Sequence, residues 1–207
     1  MQECSMYAEL KTWQPGLAAL LGFTGLIVAA LWNFSLNRRR DAALRREEAN
    51  SVAAALYGEM VLLRARAAQV GRSVAKVHVR AGTGRTIIGF DKHFVEAHKL
   101  PEPALYKALA SKFGLLPSHL VVSITAFYEN IQMIGFWLAQ LPKQDDRPYS
   151  YSPLYVLRPA RDAVHNVVPA LSEIEAMIGV AKQHTHLDIS DVENVIAFEE
   201  EGWSREE

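Results

Sequence analysis

The chain lacks the residues on which most redox and catalytic sites depend. Cys4 is the only cysteine among 207 residues, which excludes an internal disulfide. No proline lies between Pro15 and Pro101, so a long stretch is open to uninterrupted helix. Gly82 and Gly84 do not form a dinucleotide-binding loop, because that fingerprint needs a third glycine and a preceding strand. No motif in the sequence predicts catalysis, and we therefore expect neither an enzyme nor a cofactor site.

Charge is absent from twenty consecutive residues near the N-terminus, residues 17–36, which read LAALLGFTGLIVAALWNFSL. Ten of them are Leu, Ile, Val or Phe, and each of these contributes about −0.3 to −0.6 kcal/mol to membrane insertion. An α-helix of about 20 residues is long enough to cross the hydrocarbon core of a bilayer. Trp13 and Trp32 lie near the two ends of the run, and indole rings favour the lipid–water boundary. The sequence therefore predicts a transmembrane helix over residues 13–36, with the lipid bilayer as a partner.

The charges on either side of this run predict its orientation. Residues 1–12 carry one net negative charge, whereas five arginines follow the run between Arg38 and Arg46. Positive charge at the end of a span stays in the cytoplasm. We therefore expect a single-pass protein of the bacterial inner membrane, with a short N-terminus outside and a cytoplasmic C-terminal part. The alternative is a signal peptide cleaved near Ala30, but the apolar run exceeds the roughly 7–15 residues of a signal and lacks a basic segment ahead of it.

Small side chains recur on one face of the predicted span. Ala18, Gly22, Gly25 and Ala29 are spaced by four, three and four residues, and Asn33 extends the same stripe. Small residues let two helices approach closely in lipid, and a polar side chain can form a hydrogen bond across such a contact. The arginines that follow are expected to lie against anionic headgroups. The predicted interaction residues are Ala18, Gly22, Gly25, Ala29, Asn33, Arg38, Arg39 and Arg40.

Three further segments carry apolar residues at alternating steps of three and four, the pattern of a helix packed against other helices. They lie in a long basic helix predicted over residues 37–80, in a helix over 118–141, and in a helix over 154–183 that is kinked at two prolines. We therefore predict an all-α protein, in which one N-terminal transmembrane helix continues into a long cytoplasmic helix packed in an antiparallel helical bundle. The predicted core positions are Ala49, Ala53, Leu56, Met60, Leu63, Ala67, Val70, Val74 and Val77 in the first segment, Leu120, Ile124, Phe127, Ile131, Ile134, Leu138 and Leu141 in the second, and Ala160, Val164, Val167, Leu171, Ile174, Ile178 and Ala181 in the third.

The segment 118–141 is apolar enough to raise the alternative of a second span. Glu129, Asn130 and Gln132 lie in its middle, and a carboxylate at mid-membrane costs about 2.5–3.5 kcal/mol. We therefore predict a buried core helix, with contact between its second half and the membrane interface left open.

The rest of the chain divides into a helical part, residues 81–183, and an acidic tail, residues 184–207. In the helical part, Asp91 is predicted to cap a short helix and Gly114 to end another. The tail holds eight acidic residues against one arginine, whereas residues 37–80 hold ten Arg and Lys against four acids. Because segments of opposite sign attract, the tail is either disordered or docked on a basic helix.

The histidines offer one alternative of different chemistry. His184, His186 and Asp188 form a short HxHxD cluster of side-chain types that bind transition metals. His93 and His98 are five residues apart, and they diverge by about 140° on a helix instead of sharing a zinc-binding face as in HExxH. We expect no metal site, and a metal-dependent enzyme at the HxHxD cluster is kept as an alternative.

The middle of the chain carries a short pattern of aromatic and apolar residues: Tyr106, the run Phe113-Gly114-Leu115-Leu116-Pro117, and the pair Phe127-Tyr128. This pattern resembles that of uncharacterised bacterial single-pass membrane proteins with an N-terminal span, an arginine-rich exit helix and a GLLP turn between helices. The resemblance covers about residues 13–140. It implies an anchored helical hairpin and no assigned activity.

These patterns predict an interaction protein: a scaffold, assembly factor or accessory subunit of a larger membrane complex. Its expected partner is a membrane protein or a second copy of the chain, bound through the span and the long helix. Nucleic acid is not expected, because the basic residues of a long helix usually form a solvated face. A signalling module is the alternative in a different class, although the roughly twelve residues expected outside the membrane are too few for a ligand-binding domain.

Overall fold

The structure is a computed structural model that describes residues 3–82, 89–143, 151–182 and 184–204. Within these ranges all regular secondary structure is helical, which confirms the predicted all-α class. The chain forms two compact units, Met1–Glu48 and Ala49–Glu207. The paired glycines at 82 and 84 predict a turn, and the three prolines of residues 142–153 predict a loop. Residues 83–88 and 144–150 of these segments lie outside the described residues.

Seven α-helices are assigned in the described ranges. They are α1 (Glu3–Gly82), α2 (Lys92–Ala97), α3 (Ala104–Leu109), α4 (Ser118–Gln140), α5 (Leu154–His165), α6 (Val168–Ile178) and α7 (Ser190–Ser204). A 3-10 segment, Ala110–Leu115, directly follows α3.

The first helix, α1, runs without a break through both units. Its C-terminal part forms one side of the hydrophobic core, and every predicted seam position from Ala49 to Val74 is buried. Val77, the last of the seam, is half-buried. The three–four periodicity therefore identified the core-facing stripe of this helix correctly, because each such step returns to the same side of a helix.

The second long helix, α4, buries all seven of its predicted core positions, from Leu120 to Leu141 just beyond its end. It runs antiparallel to α5 and α6. Near one end Trp137 stacks on Tyr155 with ring centroids 4.5 Å apart, and near the other His119 Nε2 lies 2.8 Å from Glu173 Oε1. Phe136 and Gly135 lie on the exposed side of the same helix.

The helix predicted over residues 154–183 is two helices, α5 and α6. The chain breaks at Asn166 and Val167 because Pro169 has no N–H to continue the hydrogen-bond ladder, and it occupies the first turn of α6, where none is needed. Pro159 lies inside α5, which continues through it, and the predicted kink at this position stays a prediction. The helix ends early at Gly179, whose φ of 70° gives the left-handed cap that favours glycine, and Ala181 beyond it is exposed.

The acidic tail is docked on the bundle through a helix of its own. Helix α7 buries Val192, Val195 and Ile196 in the core. Glu199 Oε1 lies 2.8 Å from His78 Nε2 on α1, and Glu200 accepts a 2.9 Å hydrogen bond from Arg158 on α5. Of the two alternatives for the tail, docking is therefore confirmed for residues 184–204.

The short helices follow the capping prediction in one case and not in the other. Asp91 caps α2 by accepting a 2.7 Å hydrogen bond from the backbone N–H of Phe94, as predicted. The predicted glycine cap at Gly114 is wrong. Its backbone is not left-handed, and the 3-10 segment continues to Leu115.

Two glycines of α1 give opposite expectations for substitution. A Cβ at Gly58 would meet no atom within 4 Å, whereas one at Gly71 would lie 3.2 Å from both the Ala160 Cβ and the Val192 Cγ2. Gly71 therefore permits the close approach of α5 and α7. It is not one of the predicted core positions, so the sequence did not predict this role.

We expect Gly58→Ala to raise the free energy of unfolding by about 0.5–1 kcal/mol, and Gly71→Leu to lower it by about 1–3 kcal/mol through overpacking. Urea unfolding followed by circular dichroism measures both, and equal effects at the two positions would contradict this packing.

Candidate functional site

The first unit presents an exposed apolar surface along α1. Every side chain described between Ala18 and Leu36 is exposed, including Phe23 at 68% and Trp32 at 69%. Exposed apolar surface of this extent marks a membrane or partner contact. By length and composition, α1 is the one helix among the described residues that is apolar enough to cross a membrane.

Two local interactions suit this segment to an apolar medium. The hydroxyl of Thr24 donates a 2.7 Å hydrogen bond to the carbonyl oxygen of Leu20, so its polar group is satisfied inside the helix. At the C-terminal end, the guanidinium carbon of Arg38 lies 5.3 Å from the centroid of the Phe34 ring. Such a cation–π contact holds the charge beside the last aromatic ring of the apolar run.

The predicted small stripe is open along the helix. Ala18, Gly22, Gly25, Ala29 and Asn33 are all exposed on one continuous helix, where their spacing puts them on one face. A Cβ built on either glycine meets no atom within 4 Å. Asn33 has no hydrogen-bond partner within the described chain. The arginines at 38–40 are likewise exposed in the same unit.

The second unit contains a buried polar cluster that the sequence did not predict. Glu175 on α6 has a side chain only 6% exposed, and its Oε1 accepts a 2.5 Å hydrogen bond from the Tyr57 hydroxyl. The backbone N–H of His184 lies 3.3 Å from the same oxygen, and the His184 Nδ1 lies 3.0 Å from it. Nε2 of this imidazole is buried without a partner among the described residues. A buried polar atom left unsatisfied costs about 1–3 kcal/mol.

Arg64 is a second buried polar residue, and it lies on the same helix as Tyr57. Its Nε donates a 2.8 Å hydrogen bond to the carbonyl oxygen of Val164 and its Nη1 a 2.9 Å hydrogen bond to that of Thr185. Val164 is in the last turn of α5, so Arg64 caps a helix C-terminus, where a cation is favourable. No carboxylate in the described chain forms a salt bridge with it, and burial lowers its pKa. A buried cation without a carboxylate partner is unusual.

The HxHxD residues do not come together as a metal site. His184 points inward to Glu175, whereas His186 and Asp188 are exposed. The Asp188 carboxylate accepts a 3.0 Å hydrogen bond from the backbone N–H of Ser190 at the start of α7, and this bond lowers the pKa of Asp188. No group of three metal-ligating side chains occurs among the residues described. These three residues therefore join α6 to α7.

The residues that carry the resemblance form a packed cluster around Glu59. Its carboxylate accepts 2.9 Å hydrogen bonds from the backbone N–H groups of Leu105 and Tyr106 in the first turn of α3, and a 2.7 Å hydrogen bond from the Tyr128 hydroxyl. The Tyr106 ring stacks on Tyr128 with centroids 4.0 Å apart and contacts Phe113 at 5.3 Å. Burial and the Glu59 carboxylate raise the pKa of Tyr128, which keeps its hydroxyl a donor. This pattern thus stabilises the packing of α3 and α4 on α1.

Comparison with protein-family models, with curated proteins and with solved structures finds no match to this chain. Function is therefore inferred from the residues and their contacts. The buried cluster at Glu175 and the buried cation at Arg64 were missed from the sequence because their partners are about 100 residues away. The local sign of its burial is that Arg64 directly follows the predicted core residue Leu63.

Proposed function

We propose that this protein is a membrane-anchored helical interaction protein, an accessory or scaffold subunit of a larger membrane complex. Its partners are the lipid bilayer and a membrane protein or second copy bound through the span and the long helix. The Arg38–Arg40 cluster sets the orientation, with the N-terminus outside and the bundle in the cytoplasm of a bacterial cell.

The observation that carries this proposal is the continuity of α1. The same helix contains the exposed apolar segment up to Leu36 and, from Ala49 onward, the buried seam of the bundle core. A helix whose apolar residues face outward in one part and inward in the other has two different apolar environments. A bilayer supplies the outer environment, and the bundle supplies the inner one.

The open stripe supports helix pairing within the membrane. Because Gly22 and Gly25 have free space around them in the single chain, bulky side chains fit there without disturbing the fold. They obstruct only a helix that packs on this face. The exposed amide of Asn33 adds a hydrogen-bonding group to the same contact.

The double variant Gly22→Ile with Gly25→Ile should reduce recovery of the bound partner, or of a second copy, by about tenfold. The loss follows from the closer helix approach that small residues permit in lipid. Affinity purification of the tagged chain in gentle detergent, with mass spectrometry of the co-purifying proteins, measures it.

The matched control is Ala19→Ile with Ala30→Ile, which adds comparable bulk to the same segment about 80–100° away from the centre of the stripe at about 100° per residue. It should leave partner recovery unchanged. Equal recovery with both double variants would reject the stripe as the contact.

A further inference from the structure

A cavity of about 440 Å³ lies where α1, the α5–α6 junction and the chain leading to α7 meet. Five of its lining residues carry basic side chains, and none of its lining residues is acidic. This volume is within the range of pockets that hold small ligands. The basic residues are Arg64, His165, Lys182, His184 and His186.

Arg64 gives the cavity a permanent positive charge. Its side chain is buried, and the two carbonyl oxygens that it contacts are neutral acceptors. A guanidinium retains further N–H donors after two such bonds, in a planar fork that matches the oxygens of a phosphate. Lys182 and His186 are exposed at the rim and add mobile donors.

The backbone contributes to the same polarity. Val168 and Pro169, at the N-terminus of the eleven-residue helix α6, also line the cavity, and no side chain caps this end. The N-terminus of a helix carries partial positive charge, which favours a bound anion, and the N–H donors here come from first-turn residues other than Pro169. His184 also lines the cavity, although its Nε2 is enclosed by the protein.

The nearest carboxylates do not fill the cavity. Glu175 accepts from the opposite side of the His184 ring, at Nδ1, and Glu193 Oε1 lies 3.1 Å from His165 Nε2. Neither acidic residue lines the cavity. Asp188 interacts electrostatically with His186 at the rim. Arg64 and Lys182 are the basic lining residues that form no salt bridge with a carboxylate among the described residues.

We propose that this cavity binds a small phosphate-bearing anion, held by Arg64, Lys182 and His186 at the N-terminus of α6. The ligand is a soluble phosphate compound or the headgroup of a phosphomonoester lipid, since both present the same tetrahedral anion. Binding here is separate from the contact of the span with its partner.

Lysine footprinting on the full chain in neutral detergent tests the proposal. Inorganic phosphate at millimolar concentration should slow acetylation of Lys182 at least threefold. Lys92, exposed on α2 and outside the cavity, serves as the control within the same molecule. The proposal is overturned if the acetylation rate of Lys182 does not level off as phosphate is added. It is also overturned if the acetylation rates of Lys182 and Lys92 change in parallel.

Two variants separate binding from folding. His186→Ala removes an exposed donor and should weaken phosphate binding about tenfold, the usual cost of one hydrogen bond to a charged group. Arg64→Lys keeps the positive charge but removes the planar set of guanidinium N–H donors, and it should weaken phosphate binding further. The double variant His186→Ala with Arg64→Lys is the decisive case. If its circular dichroism is native and phosphate still protects Lys182 from acetylation as in the parent chain, the assignment is contradicted.

The source of the phosphate is distinguished in nanodiscs without free phosphate. Protection of Lys182 with phosphatidic acid, and not with phosphatidylcholine alone, identifies the lipid headgroup as the ligand. Protection by inorganic phosphate but by neither lipid identifies a soluble ligand. Protection by none of the three probes rejects the site.

Discussion

Glu175→Ala should lower the free energy of unfolding by about 3–5 kcal/mol, the range found when one partner of a buried charged pair is removed. In this variant the Tyr57 hydroxyl and two N–H groups of His184 lose their common acceptor inside the core. Each buried donor left without a partner contributes to the loss. Urea or thermal unfolding of the purified full chain, followed by circular dichroism, measures it.

Glu173→Ala is the matched control, since it removes the same side chain two residues earlier on α6. Glu173 pairs with His119 in an exposed contact, with the His119 side chain 67% exposed. Surface pairs of this kind contribute less than about 1 kcal/mol. If the two variants were equally stable, the buried cluster would not contribute to stability as described.

The double variant Leu26→Arg with Ile27→Arg should remove most of the chain from the membrane. Two arginines at the middle of a span cost about 5–7 kcal/mol in total, which exceeds the roughly 3–6 kcal/mol that the apolar residues of the run supply. Fractionation of cells, with an alkaline carbonate wash of the membranes, measures the fraction retained.

The control for the two added positive charges is the double variant Leu62→Arg with Val79→Arg on the same helix. Leu62 and Val79 are both exposed, and both lie outside the apolar run. This variant carries the same added charge and should stay in the membrane fraction. Equal retention of the two double variants would show that the apolar run is not the anchor.

The core of the bundle was predictable because it depends on local periodicity. Steps of three and four identify the buried face of a helix whatever packs against it, and α1 and α4 bury nearly all of their predicted positions. The cap at Asp91 was predictable for the same reason, since the bond spans three residues.

Long-range features were not predictable from such patterns. The close contact at Gly71 and the acceptors of Arg64 join segments about 90–120 residues apart, and nothing local records them. The break between α5 and α6 was predicted only as one of two kinks, because Pro159 and Pro169 look equivalent in the sequence. Only Pro169 lies in the first turn of a helix, where the backbone hydrogen bonds of the preceding helix have already ended.

Topology mapping by cysteine labelling is the most direct test of a bundle anchored to the inner face of a membrane by α1. Single cysteines are introduced in a chain whose Cys4 is replaced by serine, one at exposed Ala197 on α7 and one at residue 2. We predict that a membrane-impermeant thiol reagent labels residue 2 in intact cells and reaches residue 197 only after the membrane is opened, and that carbonate leaves the chain in the pellet. Labelling of residue 197 in intact cells, or release of the intact chain by carbonate, would contradict this account.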